Sequence, residues 1–288
     1  MKKNVFVLTF FLFYFYTFSQ TKGKITDENN NPIPFANIWV ENEAIGNTSE
    51  ENGEFSLTLK DVNKILVFSA IGYETTKQKA SQTSIVILKS IAYQISEVVI
   101  AKRFETKEKE IGNTNSVISQ AFDNGPRIDV KFFPYQTEYK KTKFIKQIVI
   151  NTDSKIENAI CKIHLFSVSP DGFPGEPLLD KDYIVTIKQG LKKTRLDITQ
   201  FNLRMPKNGL FVGFEKLVIE RNKFEKTTTD FNSNTSRTQI TYFPLVLYNY
   251  IERDALFTFS GGKWNKQNAA INQKIMVYEP AINLILTN

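Results

Sequence analysis

The stretch NTSEENGEFSLTL, from Asn47 to Leu59, contains an Asn-Gly pair and then an alternating run of apolar and polar residues. Asn52-Gly53 is typical of a tight hairpin turn, because both residues accept the positive φ that such turns require. The run that follows has the period of two expected of a strand with one buried face. Its apolar members are Phe55, Leu57 and Leu59. We therefore predict a strand, a turn and a second strand whose apolar side chains enter a core.

Three carboxylates surround this turn: Glu50, Glu51 and Glu54. An acid pair or a calcium loop would need carboxylates that converge, whereas adjacent residues such as Glu50 and Glu51 diverge along an extended chain. We expect all three side chains to be exposed, with no ligand pocket between them.

Period-two alternation continues along most of the chain, and no convincing amphipathic helix interrupts it. Turn signals such as Pro170-Asp171-Gly172 and Gly261-Gly262 separate the short apolar runs. Many short strands between turns favour an all-β fold of antiparallel sandwiches. The strand candidates are 36–41, 54–59, 65–71, 84–88, 144–151, 159–167, 183–188, 195–198, 210–214, 256–259, 274–278 and 282–286.

One polar stretch, RFETKEKEIGNTNSVISQAFDNGP, lacks this alternation. Polar stretches of this kind are typical of linkers between domains. We predict four segments: a signal peptide at 1–19, a β-sandwich at 20–101, a linker at 102–130, and a larger antiparallel, jelly-roll-like β-sandwich at 131–288.

The N-terminus has the pattern of an export signal. Met1-Lys2-Lys3 is positively charged, and residues 5–18 are apolar except for Thr9 and Thr17. We expect cleavage after Ser19, which would leave no transmembrane segment. The alternative is that the apolar segment is retained as an N-terminal anchor. A lipid anchor is not expected, because Gln20 rather than cysteine follows the predicted cleavage point.

The charge balance gives no indication of a nucleic-acid partner. The formal net charge is +7, or +5 without Lys2 and Lys3. The densest basic run, YKKTKFIK at 139–146, has four lysines but no arginine for reading bases. The run is better explained as solvent-exposed lysines at the start of a strand.

Cysteine and histidine each occur once, as Cys161 and His164. A single cysteine excludes a disulfide framework within the chain and a cysteine-rich zinc site. On one strand the two side chains point to opposite faces, which disfavours a nucleophile and base pair. We expect no catalytic residues, no metal and no cofactor.

Five N-terminal blocks occur in a recognisable order: GKITDENNNPIPFANIWV, NTSEENGEFSL, LVFSAIGYE, IVILK and AYQISEVVI. Together they cover residues 22–101 and resemble the carboxypeptidase-regulatory-like domain, a transthyretin-like sandwich. Gly46-Asn47-Thr48 fits the family pattern before the acidic turn, whereas Ser49 stands where family members usually have Asp. The resemblance implies a seven-stranded sandwich. It also implies an envelope location, because the domain occurs in TonB-dependent outer-membrane receptors and in exported envelope proteins.

The family name refers to metallocarboxypeptidases, in which this sandwich is an appendage to a zinc peptidase. The peptidase requires a His-Glu-His ligand set, and His164 alone cannot supply it. We therefore expect no peptidase activity.

The second half of the chain contains KIHLFSVSPDGFPGEPLL and TRLDITQFNLRMPKNGLFVGFEKLVI. Over residues 132–278 it resembles the C-terminal half of small exported proteins that combine a regulatory-like domain with a second sandwich. This resemblance implies architecture and envelope location, and no site residue follows from it.

Aromatic residues are frequent in the last third of the chain, and three of them are candidate glycan contacts: Tyr248, Tyr250 and Trp264. Rings on an exposed sandwich face can stack on sugars, whereas rings in a core only pack. The sequence leaves both interpretations open.

The sequence thus predicts a non-enzymatic, exported protein that acts as a structural or protein-interaction module. Its expected place is the periplasm, the outer membrane or the cell surface, and its expected partner is an envelope protein or a glycan. The alternative is a carbohydrate-binding module that uses the C-terminal aromatic residues. The oligomeric state stays open.

Overall fold

The computed structural model describes residues 19–91, 103–112, 119–230, 235–268 and 273–288. The predicted signal peptide lies outside these residues except for Ser19. Strands dominate the described part of the chain, which confirms the all-β fold class. The helices there are short 3₁₀ turns at Ala80–Gln82, Thr137–Lys141, Thr199–Phe201 and Glu220–Asn222.

The N-terminal unit contains seven strands in its described residues, as predicted. They are β1 (Ser19–Thr26), β2 (Asn37–Val40), β3 (Gly46–Thr48), β4 (Glu54–Leu59), β5 (Ile65–Ser69), β6 (Thr76–Lys79) and β7 (Ile85–Ile87). One sheet has the order β4-β1-β7 and the other the order β3-β2-β5-β6. Apolar side chains from both sheets meet between them in one cluster, which makes the unit a sandwich.

The Asn52-Gly53 turn forms, but its role differs from the predicted hairpin. The Gly53 N–H donates to the Glu50 carbonyl at 2.9 Å, and Gly53 has a φ of 78°. Because β3 and β4 belong to different sheets, the turn carries the chain from one layer of the sandwich to the other. The side chains that follow it are buried as predicted: Phe55, Leu57 and Leu59.

The larger unit follows from residue 108 onward. Its strands are β8 (Glu108–Ile111), β9 (Ser119–Ala121), β10 (Ile128–Phe133), β11 (Phe144–Ser154), β12 (Ala159–Val168), β13 (Pro174–Pro177), β14 (Tyr183–Ile187), β15 (Gly190–Asp197), β16 (Leu210–Lys216), β17 (Lys223–Asp230), β18 (Thr235–Tyr242), β19 (Leu245–Arg253), β20 (Ala255–Ser260), β21 (Lys263–Asn268), β22 (Ile275–Pro280) and β23 (Ile282–Thr287).

Two sheets of this unit pack face to face. The first has the order β13-β12-β16-β10-β20-β21, with β14 beside β12; the second has the order β22-β19-β11-β23-β8, with β15 beside β11 and β9 beside β19. Residues such as Ile163 on β12 and Ile148 on β11 are fully buried in the shared core. The second sandwich is therefore present as predicted.

The structure differs from the predicted linker at 102–130. This segment supplies β8, which pairs with β23, then β9, which pairs with β19, and the start of β10. The segment looks polar because β8 is an outer strand in which Ile111 alone is buried. Its other side chains make surface contacts, such as the ion pair between Lys109 and Glu138 at 2.5 Å.

Strands β17 and β18 form a separate two-stranded sheet, which we call the arm. They pair over eight positions, from Lys223 opposite Tyr242 to Asp230 opposite Thr235. At its base, the Phe243 N–H donates to the Asn222 carbonyl at 2.8 Å.

The two sandwiches share a contact surface, which we call the inter-sandwich interface. Phe35 packs against the buried cluster of Ile160, Leu217 and Ile219, and Trp39 meets Phe259 edge to face at 5.8 Å. This contact explains why the outward face of β12, which carries Lys162 and His164, is as buried as its inward face.

One of the turn carboxylates belongs to this interface. Glu50 was predicted to be exposed, but it is partly buried and accepts the Glu220 N–H at 2.8 Å. Burial raises the pKa of Glu50. Glu51 and Glu54 are exposed as predicted.

Candidate functional site

The three residues predicted as glycan contacts do not share one surface. Tyr248 is 2% exposed, and its hydroxyl donates to Asp129 at 2.7 Å. Trp264 is partly buried, with its ring against that of Phe166 at 5.3 Å. Tyr250 alone of the three is exposed, at 38%. Tyr248 is therefore unsuitable for stacking on a sugar, because both faces of its ring are enclosed, and Trp264 serves mainly in packing.

Tyr250 has an exposed aromatic neighbour that the sequence analysis missed. Tyr278 on β22 lies directly opposite Tyr250 on β19, and the two ring centroids are 4.8 Å apart with an angle of 36° between the rings. The ring of Phe122 meets Tyr278 edge to face at 4.9 Å. We call these three rings the aromatic platform.

The register of β19 explains why one strand supplies both a buried and an exposed tyrosine. Val246, Tyr248 and Tyr250 lie on the same face of the strand, and the first two are buried whereas Tyr250 is exposed. Tyr278 is 40% exposed and Met276, two residues earlier on β22, is 47% exposed. The platform therefore lies where the core face of this sheet reaches solvent.

A depression with a mixed apolar and polar lining adjoins the platform. It is open to solvent and shares Phe122 with the platform. Its polar lining includes Asn124, Arg127, Asp129 and Lys216. Aromatic rings therefore stand beside hydrogen-bond donors and acceptors.

The polar groups of the depression are held in place by one another. The Arg127 guanidinium contacts both oxygens of Asp129, at 2.8 and 2.9 Å, and the Asn124 amide donates to the Tyr248 hydroxyl at 3.2 Å. Burial disfavours the charge on Arg127, but the attraction of Asp129 outweighs it and raises the Arg127 pKa. Burial and the charge of Asp129 raise the pKa of Tyr248, which keeps its hydroxyl protonated as a donor.

A second group of charges is buried at the inter-sandwich interface. Lys162 is 1% exposed and lies 2.9 Å from Asp182. Its ammonium also donates to the Phe35 carbonyl at 2.8 Å, which links the two sandwiches directly. Burial lowers the pKa of Lys162, but the charges of Asp182 and Glu215 outweigh this effect, and the pKa is raised overall.

His164 belongs to the same group. Its Nε2 lies 2.6 Å from the Glu215 carboxylate, and its ring stacks on Phe166 with an angle of 8°. Burial raises the pKa of Glu215, but Lys162 and His164 lower it by more, with a further hydrogen bond from Asn37 of the N-terminal sandwich. Glu215 is therefore ionised and Nε2 is the donor.

A third group lies beneath β22. The Glu279 carboxylate receives two hydrogen bonds from Arg253, at 2.7 and 2.9 Å, and lies 3.1 Å from Lys131. Lys131 also donates to the Gly112 carbonyl at 2.6 Å. Burial lowers the pKa of Lys131 more than Glu279 raises it. This group ties β10, β19 and β22 together.

Cys161 and His164 do not form a nucleophile and base pair. Cys161 is fully buried in the core of the larger sandwich, whereas His164 contacts Glu215 on the other face of β12. Burial raises the pKa of the Cys161 thiol. Among the residues that the structure describes, no group of three or more His, Cys, Asp or Glu side chains could hold a metal ion.

No helix within the described ranges has the length and apolar character that a membrane crossing requires.

Sequence reasoning missed most of the residues around the platform. Phe122, Asn124, Arg127 and Asp129 all lie in the segment interpreted as a linker, and Tyr278 was assigned only to a strand. The alternation of Met276 and Tyr278 around the buried Val277 is a signal that could have identified an outer strand with one apolar exposed face.

Comparison with protein families identifies the N-terminal sandwich. Residues 21–100 match the CarboxypepD_reg-like domain, which confirms the family resemblance for that part of the chain.

Two curated relatives are TonB-dependent receptors of Formosa agariphila. TonB-dependent receptor P39 is 30% identical over 114 residues, which cover 38% of this chain and 11% of the receptor. TonB-dependent receptor P3 is 29% identical over 125 residues, which cover 41% of this chain and 12% of the receptor. The chain thus spans about a tenth of the length of these relatives. The domain match and this similarity fit a protein of the cell envelope.

Similarities to solved structures are weak. The T=1 particle of infectious bursal virus has a TM-score of 0.23 at 10% identity, with 93% of this chain and 57% of that chain covered. BcpA, the major pilin subunit of Bacillus cereus, has a TM-score of 0.17 at 11% identity, with 92% of this chain and 85% of that chain covered. At these TM-scores neither similarity indicates a fold or a function.

Proposed function

We propose that the chain is a non-enzymatic, exported envelope protein that acts as a structural or protein-interaction module, in the periplasm, at the outer membrane or on the cell surface. The export signal predicted at 1–19, the regulatory-like domain and the similarity to receptors support this location.

One observation carries the non-enzymatic part of the proposal. Seven Asp, Glu, Lys and His side chains are buried in the described residues, and each acidic one contacts a basic one or the reverse: Asp129, Lys131, Lys162, His164, Glu215, Lys216 and Glu279. Five of them lie away from the depression, and the two that line it, Asp129 and Lys216, are held by Arg127 and Asp123. Catalytic acids and bases are instead aimed at a substrate in a cleft. Paired charges of this kind hold elements together, which suits a module that offers a fixed surface.

Localisation and partner contact can be tested together. A photo-crosslinking amino acid at position 250 should capture an envelope protein in intact cells, whereas the same group at position 191, where Leu191 is 69% exposed, serves as a control elsewhere on the surface. Equal capture at both positions, or a cytoplasmic location on fractionation, would contradict the proposal. So would metal-dependent peptide hydrolysis that is lost in His164→Ala.

The aromatic platform supports a second candidate function, glycan binding. Tyr250 and Tyr278 offer exposed ring faces, and Asn124 and Arg127 provide donors nearby for sugar hydroxyls. We propose that Tyr250 and Tyr278 together contact the glycan and that the buried Tyr248 does not.

A glycan array followed by calorimetry tests this candidate. Tyr250→Ala and Tyr278→Ala should each abolish binding. Phe132→Ala is the matched control, because Phe132 is similarly exposed (41%) on a different strand and should not affect it. Equal loss in the control, or no binding to any glycan, would reject the candidate.

A further inference from the structure

The arm packs little against the rest of the molecule beyond its base. Its side chains at 225–229 and 235–240 are exposed on both faces of the ribbon. Among the described strands, β17 pairs only with β18 and β18 only with β17. Within the part of the chain that the structure describes, the outer edge of each of these two strands therefore has no neighbouring strand.

An isolated two-stranded ribbon is marginally stable in water. The arm has little core of its own: hydroxyl pairs such as Thr227 with Thr238 at 3.1 Å and Thr229 with Ser236 at 3.0 Å connect its strands on one face. Because both faces of the ribbon are polar, neither is suited to pack against an apolar surface. An exposed strand edge, however, is a template for a further strand.

The sequence of β17 identifies the strand that fits this edge. Residues 226–230 read Lys-Thr-Thr-Thr-Asp, which is complementary to itself when two copies run antiparallel about Thr228. In that register, Lys226 lies opposite Asp230 of the partner subunit, and Asp230 lies opposite the partner subunit's Lys226. Thr227 lies opposite the partner subunit's Thr229. Opposed residues then share a face of the sheet, as pairing requires.

We propose that two copies of this chain associate through the β17 edge of the arm. The two ribbons would form one four-stranded antiparallel sheet with a twofold axis at Thr228, and each charge pair would occur twice by symmetry. The β18 edge is unsuited to this role, because Arg237 is its sole charged residue and no antiparallel register sets it opposite a carboxylate.

Cysteine crosslinking tests the register directly. Opposed residues of an antiparallel pair have Cα atoms about 4.5–5.5 Å apart, within the range that a disulfide spans. Thr228→Cys should therefore form a covalent dimer on mild oxidation. Thr238→Cys is the matched control, since it is equally exposed on the other strand and should stay monomeric. The native Cys161 is buried and should not contribute.

A charge exchange tests the contacts without crosslinking. In sedimentation equilibrium, the full chain should dimerise reversibly, and Lys226→Asp should weaken association about tenfold, because two attractive pairs become repulsive. The double variant Lys226→Asp/Asp230→Lys should restore it, whereas Arg237→Asp should leave it unchanged. A wild-type chain that stays monomeric, a double variant that is not restored, or equal crosslinking at 228 and 238 would each overturn the proposal.

Discussion

Replacing Lys162 with methionine should destabilise the protein more than any change to a surface charge. Methionine has a similar length and is apolar, so the substitution keeps the packing volume and removes the ammonium. It leaves the Asp182 carboxylate without its ion partner and the Phe35 carbonyl without its donor.

The magnitude follows from the burial of the two partners. Breaking a buried ion pair by removing one member costs about 3–5 kcal/mol. The Asp182 side chain retains 18% exposure, so water compensates part of the loss, and we expect about 3 kcal/mol, at the lower end of that range. For a chain of this size, the thermal midpoint should then fall by roughly 6 °C.

Urea denaturation and calorimetry measure the effect, and a double-mutant cycle with Asp182→Asn isolates the pair. Lys77→Met is the matched control, because the Lys77 and Glu41 pair is largely solvated and surface pairs contribute little. The reasoning would be refuted if Lys162→Met were as stable as the wild type, or if Asp182→Asn in the Lys162→Met background gave no recovery.

Three further changes have defined outcomes. Gly53→Ala should cost about 1–3 kcal/mol in urea denaturation, because the residue has a φ of 78° and a Cβ there would lie 2.6 Å from the Ile25 carbonyl; an unchanged midpoint would contradict this. The pKa of Glu215 is lowered in the folded state, so its contribution to stability is present above its ordinary pKa of 4.5 and is lost as pH falls below it. Glu215→Gln should therefore flatten the decrease of the urea midpoint with acid, and an equally steep decrease would exclude this role. The Cys161 thiol should not react with Ellman's reagent in the native protein but should react fully in denaturant, since burial raises its pKa; rapid native reaction would show that the core of the larger sandwich opens.

The sequence predicted most strands whose residues alternate between a core and water. The prediction of 54–59 for β4 matches the observed strand, because Phe55, Leu57 and Leu59 face one core. Strand prediction from the sequence failed where burial does not follow that alternation. Strand β8 is polar along three of its four residues and is held by backbone pairing to β23, and the arm is exposed on both faces over 225–229 and 235–240.

The candidate site was less predictable because its parts come from distant segments. Tyr250 and Tyr278 are adjacent only through the β19 and β22 register, and Phe122 reaches them from the segment interpreted as a linker. The same limit applies to Glu50, whose partner Glu220 is 170 residues away in sequence. Spacing within one segment carries no information on such contacts.

The inter-sandwich interface has a practical consequence for dissecting this protein. Cutting the chain between the sandwiches, where a domain boundary is expected, would leave Phe35 and Trp39 as an apolar patch on the N-terminal fragment. The C-terminal fragment would expose Lys162, His164 and Glu215 on an open sheet face, without the Phe35 carbonyl and Asn37. Each half should therefore be less soluble or less stable than the intact chain, and co-expressed halves should bind each other again through this surface.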